Sequence, residues 1–353
     1  MADLKAHLGA RIAAQGPITL SDYMSECLLH PQFGYYATRD PFGAAGDFTT
    51  APEISQMFGE MVGLSLAQAW HDQGAPGHFV LAEAGPGRGT LMADILRVGR
   101  AVPGFVEAAE LHLVEASATL RARQRALLGD AVRWHDDIDG LPEGAPLFLV
   151  ANEFFDALPI RQFQRDGAGW RERLVRFEDG QLGFGLGAEI APDMLAHRLE
   201  DTAEGQVVEV CPAAAPIAEA IGQRIAADGG AALIIDYGDW RSLGDTLQAL
   251  AAHRFVDPFD DPGNADLTAH VDFEALAGAT PSAHSKLTPQ GIFLERLGIT
   301  ARAQALAARL DGAALEAHVA AHRRLTHPGE MGNLFKVLAL FPHGATPPPG
   351  CET

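Results

Sequence analysis

The sequence predicts a doubly wound α/β fold with a mostly parallel, seven-stranded sheet, an N-terminal helical extension and inserted antiparallel hairpins. Short apolar runs without polar alternation, such as 78–84 (HFVLAEA), are typical of strands that are buried on both faces. Such runs alternate with helical segments, which is the pattern of βαβ units. A glycine-rich turn directly follows the first run, where open α/β sheets bind their ligands.

Length and composition exclude several classes of protein. A chain of 353 residues suits two domains, or one large domain with an insertion. With 46 acidic and 26 basic residues the net charge is −20, so a nucleic acid would meet a repulsive field. No stretch reaches the roughly 18 apolar residues of a membrane span. The N-terminus lacks a secretory core, the three cysteines are isolated, and arginine greatly outnumbers lysine. We expect a cytoplasmic, bacterial protein that does not bind nucleic acid and has no membrane span.

The elements can be assigned in chain order from periodicity and turn residues. Residues 2–15 are predicted to form a helix, a second is capped near Thr19, 30–51 forms a loop, and 54–70 forms a third helix. Strands are predicted at 78–84, 111–115, 132–135, 147–151, 232–237 and 333–341. Further helices are predicted at 90–100, 118–128, 212–228 and 294–324. Residues 160–210 contain alternating positions separated by Gly and Asp turns, which indicates antiparallel hairpins.

This pattern predicts five segments along the chain. They are a helical and lid extension (1–75), the first half of the core (76–159), inserted hairpins (160–210), the second half of the core with a helical insertion (211–341) and a disordered tail (342–353). Within the second half, residues 239–285 are predicted to be irregular. The hairpins are a candidate surface for a partner or for a homodimer, although they could simply cover the edge of the sheet.

The strongest local motif is Glu83-Ala-Gly85-Pro86-Gly87-Arg-Gly89, between the first strand and the following helix. Glycines there adopt positive φ and let a ligand approach the backbone closely. The spacing differs from the dinucleotide fingerprint, which needs G-x-G-x-x-G, and from the P-loop, which needs GK[ST]. A plain glycine-rich turn without a ligand remains an alternative. The E-x-G-x-G-x-G form resembles the first motif of class I S-adenosylmethionine (SAM)-dependent methyltransferases.

Polar side chains also follow the next three predicted strands. Glu115 ends the second strand, and a carboxylate there can accept hydrogen bonds from both ribose hydroxyls. Asp136 and Asp137 follow the third strand, where such folds hold the adenine amine. Asn152 and Glu153 follow the fourth strand, beside the methyl group. The carboxyl ends of parallel strands share one edge of the sheet, so these groups are expected to lie together.

Longer motifs resemble a narrower family, the MidA-like methyltransferases. They are 46–60 (GDFTTAPEISQMFGE), 83–91 (EAGPGRGTL), 152–159 (NEFFDALP), 288–291 (TPQG) and 331–336 (MGNLFK), and the resemblance extends from about residue 5 to residue 341. Mitochondrial members of the family act in the assembly of respiratory complex I, by symmetric dimethylation of an arginine in a core subunit. The resemblance therefore implies a protein arginine methyltransferase that converts SAM to S-adenosyl-homocysteine (SAH), with 333–341 antiparallel in the sheet.

The resemblance and the motifs together give a set of candidate site residues. Cofactor binding is assigned to Gly46, Glu83, Gly85, Pro86, Gly87, Gly89, Glu115, Asp136, Asp137, Asn152 and Glu153. A guanidinium nucleophile is protonated, so carboxylates must hold it and accept its proton. The candidates for this role are Glu153 and Asp156, with Asp47 and Asp236 in reserve. Alternatively, Glu153 only binds the methionyl amine of SAM. The loop 46–53 is expected to act as a lid over the cofactor.

The sequence lacks the motifs of several other functions. The fourteen histidines form no HExxH pattern, so no metal is expected, and no G-x-S-x-G nucleophile elbow occurs. Asn-Glu-Phe-Phe differs from the Asn-Pro-Pro-Tyr of DNA amino methyltransferases. The segment 270–273 (HVDF) is either functional or a cap at a strand end. A small-molecule methyltransferase and a SAM-binding assembly factor remain alternatives, and the negative charge would attract a basic, arginine-containing protein segment.

Overall fold

The structure is a computed structural model that describes residues 3–38 and 49–352. The chain divides into two compact units. Among the described residues, the first contains 3–38, 156–214 and 241–272, and the second contains 49–155, 215–240 and 273–352. This division differs from the five predicted segments, because 49–75 joins the sheet-containing unit and 241–272 joins the hairpins.

The second unit is built on a large nine-stranded sheet, and we number the seven strands of its main path β1 to β7 along the chain. They are β1 (Phe79–Ala84), β2 (Ala109–Val114), β3 (Arg133–His135), β4 (Leu147–Asn152), β5 (Gly230–Asp239), β6 (Ala283–His284) and β7 (Phe335–Phe341). Their spatial order is β3-β2-β1-β4-β5-β7-β6. Strands β1 to β5 are mutually parallel, whereas β7 runs antiparallel to both β5 and β6. The predicted central position of β1 and the antiparallel last strand are therefore confirmed.

The core of this unit lies on both faces of the sheet. Every residue of β1 and of β4 is buried, which requires cover on each face of the sheet. Phe79 of β1 packs against Phe105 and Phe148, with ring centroids 5.2 Å apart in each pair. The helices of this unit are Ala51–Ile54, Gln56–Asp72, Thr90–Gly99, Phe105–Ala108, Ala118–Leu128, Ala214–Asp228, Phe273–Ala279, Gln290–Arg296, Ile299–Ala307, Gly312–Thr326 and Met331–Leu334. A short strand, Thr288–Pro289, also pairs with β7.

The first unit contains the inserted hairpins. Its five-stranded antiparallel sheet consists of Ile18–Thr19, Arg161–Asp166, Gly169–Glu178, Gln181–Ile190 and Val207–Val210. The central hairpin turns at Asp179 and Gly180, whose φ angles of 51° and 79° give the backbone twist that two-residue turns need. The same unit also contains the helices Leu4–Gln15, Leu20–Leu29 and Tyr35–Thr38 and the 3₁₀ segment Asp193–Leu199. Thr19 caps the second helix by accepting from the Asp22 amide, as predicted.

Residues 239–285 are more regular than predicted. They form the strands Gln248–Ala251, Arg254–Val256, Asp266–Thr268 and Val271–Asp272, followed by the helix Phe273–Ala279. The first three pair as a small antiparallel sheet. Strands of two to four residues are too short to show periodicity, which explains why the sequence pattern missed them. Asp272 accepts a hydrogen bond from the Ser242 amide at 2.9 Å, which supports a structural role for this segment.

The tail after β7 also differs from the predicted disorder. The Ser65 hydroxyl donates to the Pro349 carbonyl oxygen at 2.7 Å, and the Lys286 amide donates to the Glu352 carbonyl oxygen at 2.7 Å. A Cβ atom on Gly350 would lie 2.5 Å from the Phe293 ring, so the backbone packs directly on that side chain. Tertiary contacts therefore order a proline- and glycine-rich segment whose composition alone indicated disorder. No helix in the described ranges is both long and apolar enough to cross a membrane.

Candidate active site

The glycine-rich loop after β1 has the conformation that its sequence predicted. Gly85, Gly87 and Gly89 have φ angles of 66°, 51° and 85°. A Cβ on Gly85 would lie 2.9 Å from the Phe154 ring, and such a contact would force one of the two groups to shift. The Gly89 amide donates to the Pro86 carbonyl oxygen at 2.7 Å, and Gly89 caps the helix Thr90–Gly99. The loop therefore presents a tight backbone at the carboxyl end of the central strand.

Glu83 lies beneath this loop and is almost completely buried, with 2% of its surface exposed. Burial, together with the nearby negative charge of Glu115, raises the pKa of Glu83 to about 8, although a hydrogen bond from the Met92 amide acts in the opposite direction. Its Oε2 atom has no hydrogen-bond partner among the described residues. A buried acceptor of this kind suits a ligand that supplies donors or positive charge.

The raised pKa of Glu83 should make the free energy of unfolding depend on pH. Between the ordinary pKa of 4.5 and about 8, the folded chain keeps a proton that the unfolded chain has released. The free energy of unfolding should therefore fall as the pH rises through this window, by at most about 1.4 kcal/mol per pH unit from this group. In Glu83→Gln that contribution should be absent. Urea unfolding at a series of pH values tests this, with Glu143→Gln, an exposed loop position, as the control. Parallel wild-type and Glu83→Gln curves would contradict the assignment.

Glu115 follows β2 and is held at both carboxylate oxygens. Its Oε1 atom accepts from the Ser117 amide at 2.8 Å, and its Oε2 atom accepts from Gln124 Nε2 at 3.2 Å. Burial raises its pKa, against the effect of these hydrogen bonds and of Arg121. The Arg121 Nε atom donates to the Glu115 backbone carbonyl at 2.6 Å, which fixes the end of the strand. The result is a carboxylate with a defined orientation beside the glycine loop.

Gln124 is a member of the site that sequence reasoning missed. It is fully buried, and its Nε2 atom also donates to the Gly87 carbonyl oxygen at 2.7 Å. The surrounding helix is rich in arginine (ATLRARQRALL), so a single glutamine there suggests a solvent-exposed position. The only local signal is its spacing of four from the buried Leu120.

Asp136 and Asp137 follow β3 and are both exposed. The Asp136 carboxylate accepts from Arg121 Nη2 at 2.6 Å. Asp137 caps a 3₁₀ turn, since its Oδ1 atom accepts from the Gly140 amide at 2.9 Å. Both therefore lie at the predicted edge of the sheet, and their role toward adenine stays a prediction.

Asn152 is the last residue of β4, and Glu153 follows it with an unusual backbone conformation. Glu153 has a φ of 51°, in the left-handed region that non-glycine residues seldom adopt. Its Oε1 atom accepts from the Ala51 amide and from Asn152 Nδ2, each at 3.1 Å. The Asn152 Oδ1 atom is buried without a hydrogen-bond partner among the described residues. Strained residues of this kind cluster at functional sites, where the surrounding structure holds them.

The other predicted acids differ in their surroundings. Asp236, on β5, is completely buried, and its oxygens accept from the backbone amides of Phe155 and Tyr237 at 3.0 and 2.9 Å. It thereby holds the turn that follows β4. Asp156 belongs to the first unit, where it is buried and its carbonyl oxygen accepts from the Ala269 amide. Gly46 and Asp47 lie outside the described residues.

The helical turn Ala51–Ile54 connects two parts of the site. Besides the contact of the Ala51 amide with Glu153, the Glu53 Oε1 atom accepts from the Thr90 hydroxyl at 2.6 Å. Thr90 is the first residue of the helix that follows the glycine loop. Residues 49–53 are the described part of the predicted lid, whose closure over the cofactor stays a prediction.

Three side chains of the first unit could offer metal ligands, namely His7, Glu26 and His30. Two features oppose a cation there. The Arg11 guanidinium donates to Glu26 Oε1 at 3.0 Å and places a positive charge at the same carboxylate. His30 Nδ1 already accepts the backbone amides of Gln32 and Phe33. We assign no metal to this group.

The strand order, the glycine loop and the acids at the carboxyl edge define a class I SAM-dependent methyltransferase. The residues fit the cofactor, because SAM carries ribose hydroxyls and an ammonium group that match the acceptors of Glu115, Glu83 and Asn152. A family model for S-adenosyl-L-methionine-dependent methyltransferases matches residues 61–292. The chain belongs to the MidA-like family of these enzymes, and SAM is its cofactor.

Comparisons with individual proteins agree with this family. "Protein arginine methyltransferase NDUFAF7, mitochondrial" of Mus musculus is 38% identical over 368 residues, covering 96% of this chain and 84% of its own length. The Xenopus laevis protein of the same name is 37% identical over 369 residues, with 96% and 84% covered. A crystal structure of a COG1565 superfamily member from Burkholderia thailandensis, bound to SAH, is 34% identical with a TM-score of 0.84, covering 98% of this chain and 93% of that chain.

Proposed function

We propose that this methyltransferase is a protein arginine N-methyltransferase, which symmetrically dimethylates an arginine of a respiratory complex I-type subunit. The observation that carries the proposal is the match of 36–38% identity, over nearly the whole chain, to relatives named as protein arginine methyltransferases. The family resemblance supplies the complex I subunit and the symmetric pattern. The site contributes the carboxylate of Glu153, at the carboxyl end of β4, where the backbone of this residue has a φ of 51°.

The chemistry of an arginine substrate suits this carboxylate. A guanidinium is protonated at physiological pH, so the enzyme must hold a planar cation and remove a proton as the new bond forms. SAM, when bound, supplies the methyl group on a sulfonium that needs no further activation. Two donors orient the Glu153 carboxylate, which would hold the guanidinium, aim one nitrogen and accept the proton. Asp156 is the second candidate, with Asp47 and Asp236 in reserve, and the net charge of −20 favours a basic substrate segment.

The cofactor would lie over the glycine loop, with its ribose on Glu115. Glu115→Ala should weaken SAM binding by about tenfold to a hundredfold, the range for losing hydrogen bonds to a charged group. Isothermal calorimetry measures this directly. The control is Glu107→Ala, which removes an exposed glutamate just before β2 and should leave the affinity unchanged. An equal affinity for wild type and Glu115→Ala would refute this placement of the ribose.

Transfer of a labelled methyl group tests the substrate class. The full-length protein and labelled SAM are added to a bacterial lysate that lacks the native enzyme, and labelled products are identified by mass spectrometry. Label on arginine of a protein supports the proposal. Label confined to small molecules would indicate a small-molecule methyltransferase instead. SAM binding without any transfer would indicate an assembly factor with little catalysis.

A further inference from the structure

Gln124 has a hydrogen-bond pattern that assigns it a role in the site. It lies on the helix Ala118–Leu128 with no exposed surface, and a buried amide is costly unless its polar atoms are paired. The Trp134 Nε1 atom donates to Gln124 Oε1 at 2.8 Å. Gln124 Nε2 donates to the Gly87 carbonyl oxygen at 2.7 Å and to Glu115 Oε2 at 3.2 Å.

These partners allow only one orientation of the amide. An indole N–H can only donate, whereas a carbonyl and an ionised carboxylate can only accept. The Gln124 oxygen must therefore face Trp134, and its nitrogen must face Gly87 and Glu115. Trp134 is itself held on β3, where the Arg125 guanidinium lies 4.5 Å from its ring centroid. The third strand thus determines which way the amide points.

The Gln124 amide in turn helps to determine the orientation of the Glu115 carboxylate. One lone pair of Glu115 Oε2 is used by Gln124, and one of Oε1 is used by the Ser117 amide. Each oxygen keeps further acceptor capacity. Two oxygens that are held side by side in this way match a pair of adjacent hydroxyls, such as those of a ribose. The same Gln124 nitrogen also holds the Gly87 carbonyl, in the middle of the glycine loop.

We propose that Gln124 is a positioning residue of the cofactor site, which aligns the Glu115 carboxylate and the glycine loop for SAM. The hydrogen bond from Trp134 sets the orientation of its amide. The inference rests on the proposed placement of the ribose on Glu115. It concerns binding of the cofactor and is independent of the methyl acceptor. A failure of the arginine assignment would therefore leave it intact.

Calorimetric binding of SAH to the full-length protein tests this role. Gln124→Met keeps the size of the side chain but cannot donate, so the affinity should fall about tenfold or more, as for a lost hydrogen bond to a charged group. Glu115→Gln should also weaken binding. If Gln124 acts through Glu115, the double variant should lose clearly less than the product of the two single losses. Losses that multiply, or unchanged affinity in Gln124→Met, would overturn the proposal.

A matched control separates positioning from general stability. Gln73 bonds through both atoms of its amide to the backbone of Gly230, at the amino end of β5 and thus at the opposite edge of the sheet. Gln73→Met should lower the melting temperature and leave the SAH affinity within about twofold of wild type, because additivity holds for distant sites. An equal loss of affinity in Gln73→Met would mean that Gln124→Met acts through stability alone.

Two further variants test the same proposal if Gln124→Met folds poorly. Gln124→Glu places a second carboxylate beside Glu115, so its affinity deficit for SAH should be largest near pH 8. The deficit should shrink at least about threefold near pH 6, where the two carboxylates can share a proton. Trp134→Phe removes the donor that orients the amide and should weaken SAH binding as well. A deficit that does not change with pH, together with normal binding by Trp134→Phe, would contradict the proposal. Wild-type protein that fails to bind SAH would instead refute the cofactor site itself.

Discussion

Gly87→Val is expected to abolish measurable cofactor binding. The φ angle at Gly87 is 51°, which a β-branched residue adopts only with strain of about 1–3 kcal/mol. Its carbonyl oxygen is also the acceptor for Gln124, so a change of the local backbone would break the contact between the loop and the helix. The valine side chain would in addition project into the space proposed for SAM. Together these effects should weaken SAH binding by at least about a hundredfold, which is about 2.7 kcal/mol.

The control for this variant carries the same backbone strain elsewhere. Gly144 has a φ of 77°, and a Cβ atom there would meet nothing within 4 Å. It precedes the amino end of β4, on the edge of the sheet that faces away from the loop. Gly144→Val should lose stability and retain SAH affinity. If both variants lose binding equally, or if Gly87→Val binds normally, the placement of SAM on this loop is wrong.

Glu153→Gln is expected to cut turnover a hundredfold or more while leaving SAM affinity nearly unchanged. The substitution keeps the shape of the side chain but removes the charge that would hold a guanidinium and accept its proton. A hundredfold loss is at the low end for removal of a general base. Steady-state transfer to the identified protein substrate measures turnover, and calorimetry with SAH measures affinity. The separation of the two readings is what identifies a catalytic group.

Asp179→Asn provides the matched control for Glu153→Gln. Asp179 also has a φ of 51° and carries a carboxylate, but it lies in the exposed turn of the central hairpin. Its replacement should change neither turnover nor affinity. If Glu153→Gln instead keeps its turnover and loses only SAM affinity, Glu153 is a ligand of the methionyl amine. The search for the base then moves to Asp156, Asp47 and Asp236.

Much of the site could be predicted because its residues lie at ends of strands with simple patterns. Glu83, Glu115 and Glu153 each stand at or next to the carboxyl end of a parallel strand, and the structure brings all three to that edge. The sequence pattern could not show what each carboxylate touches. Asp236 stays a reserve candidate for the base, but only the structure shows that its oxygens accept two backbone amides, because the turn after β4 folds onto the end of β5.

The amino-acid sequence by itself determined the order of strands and helices, the glycine loop and the family. These features depend on periodicity, turn residues and contiguous motifs, which are local properties of the chain. Only the tertiary structure decided that Gln124 contacts Gly87, 37 positions earlier, and that Glu53 contacts Thr90, also 37 positions away. It also decided that residues 241–272 join the hairpins and that the tail is packed. Contacts of this range follow from how the elements pack, which local patterns do not encode.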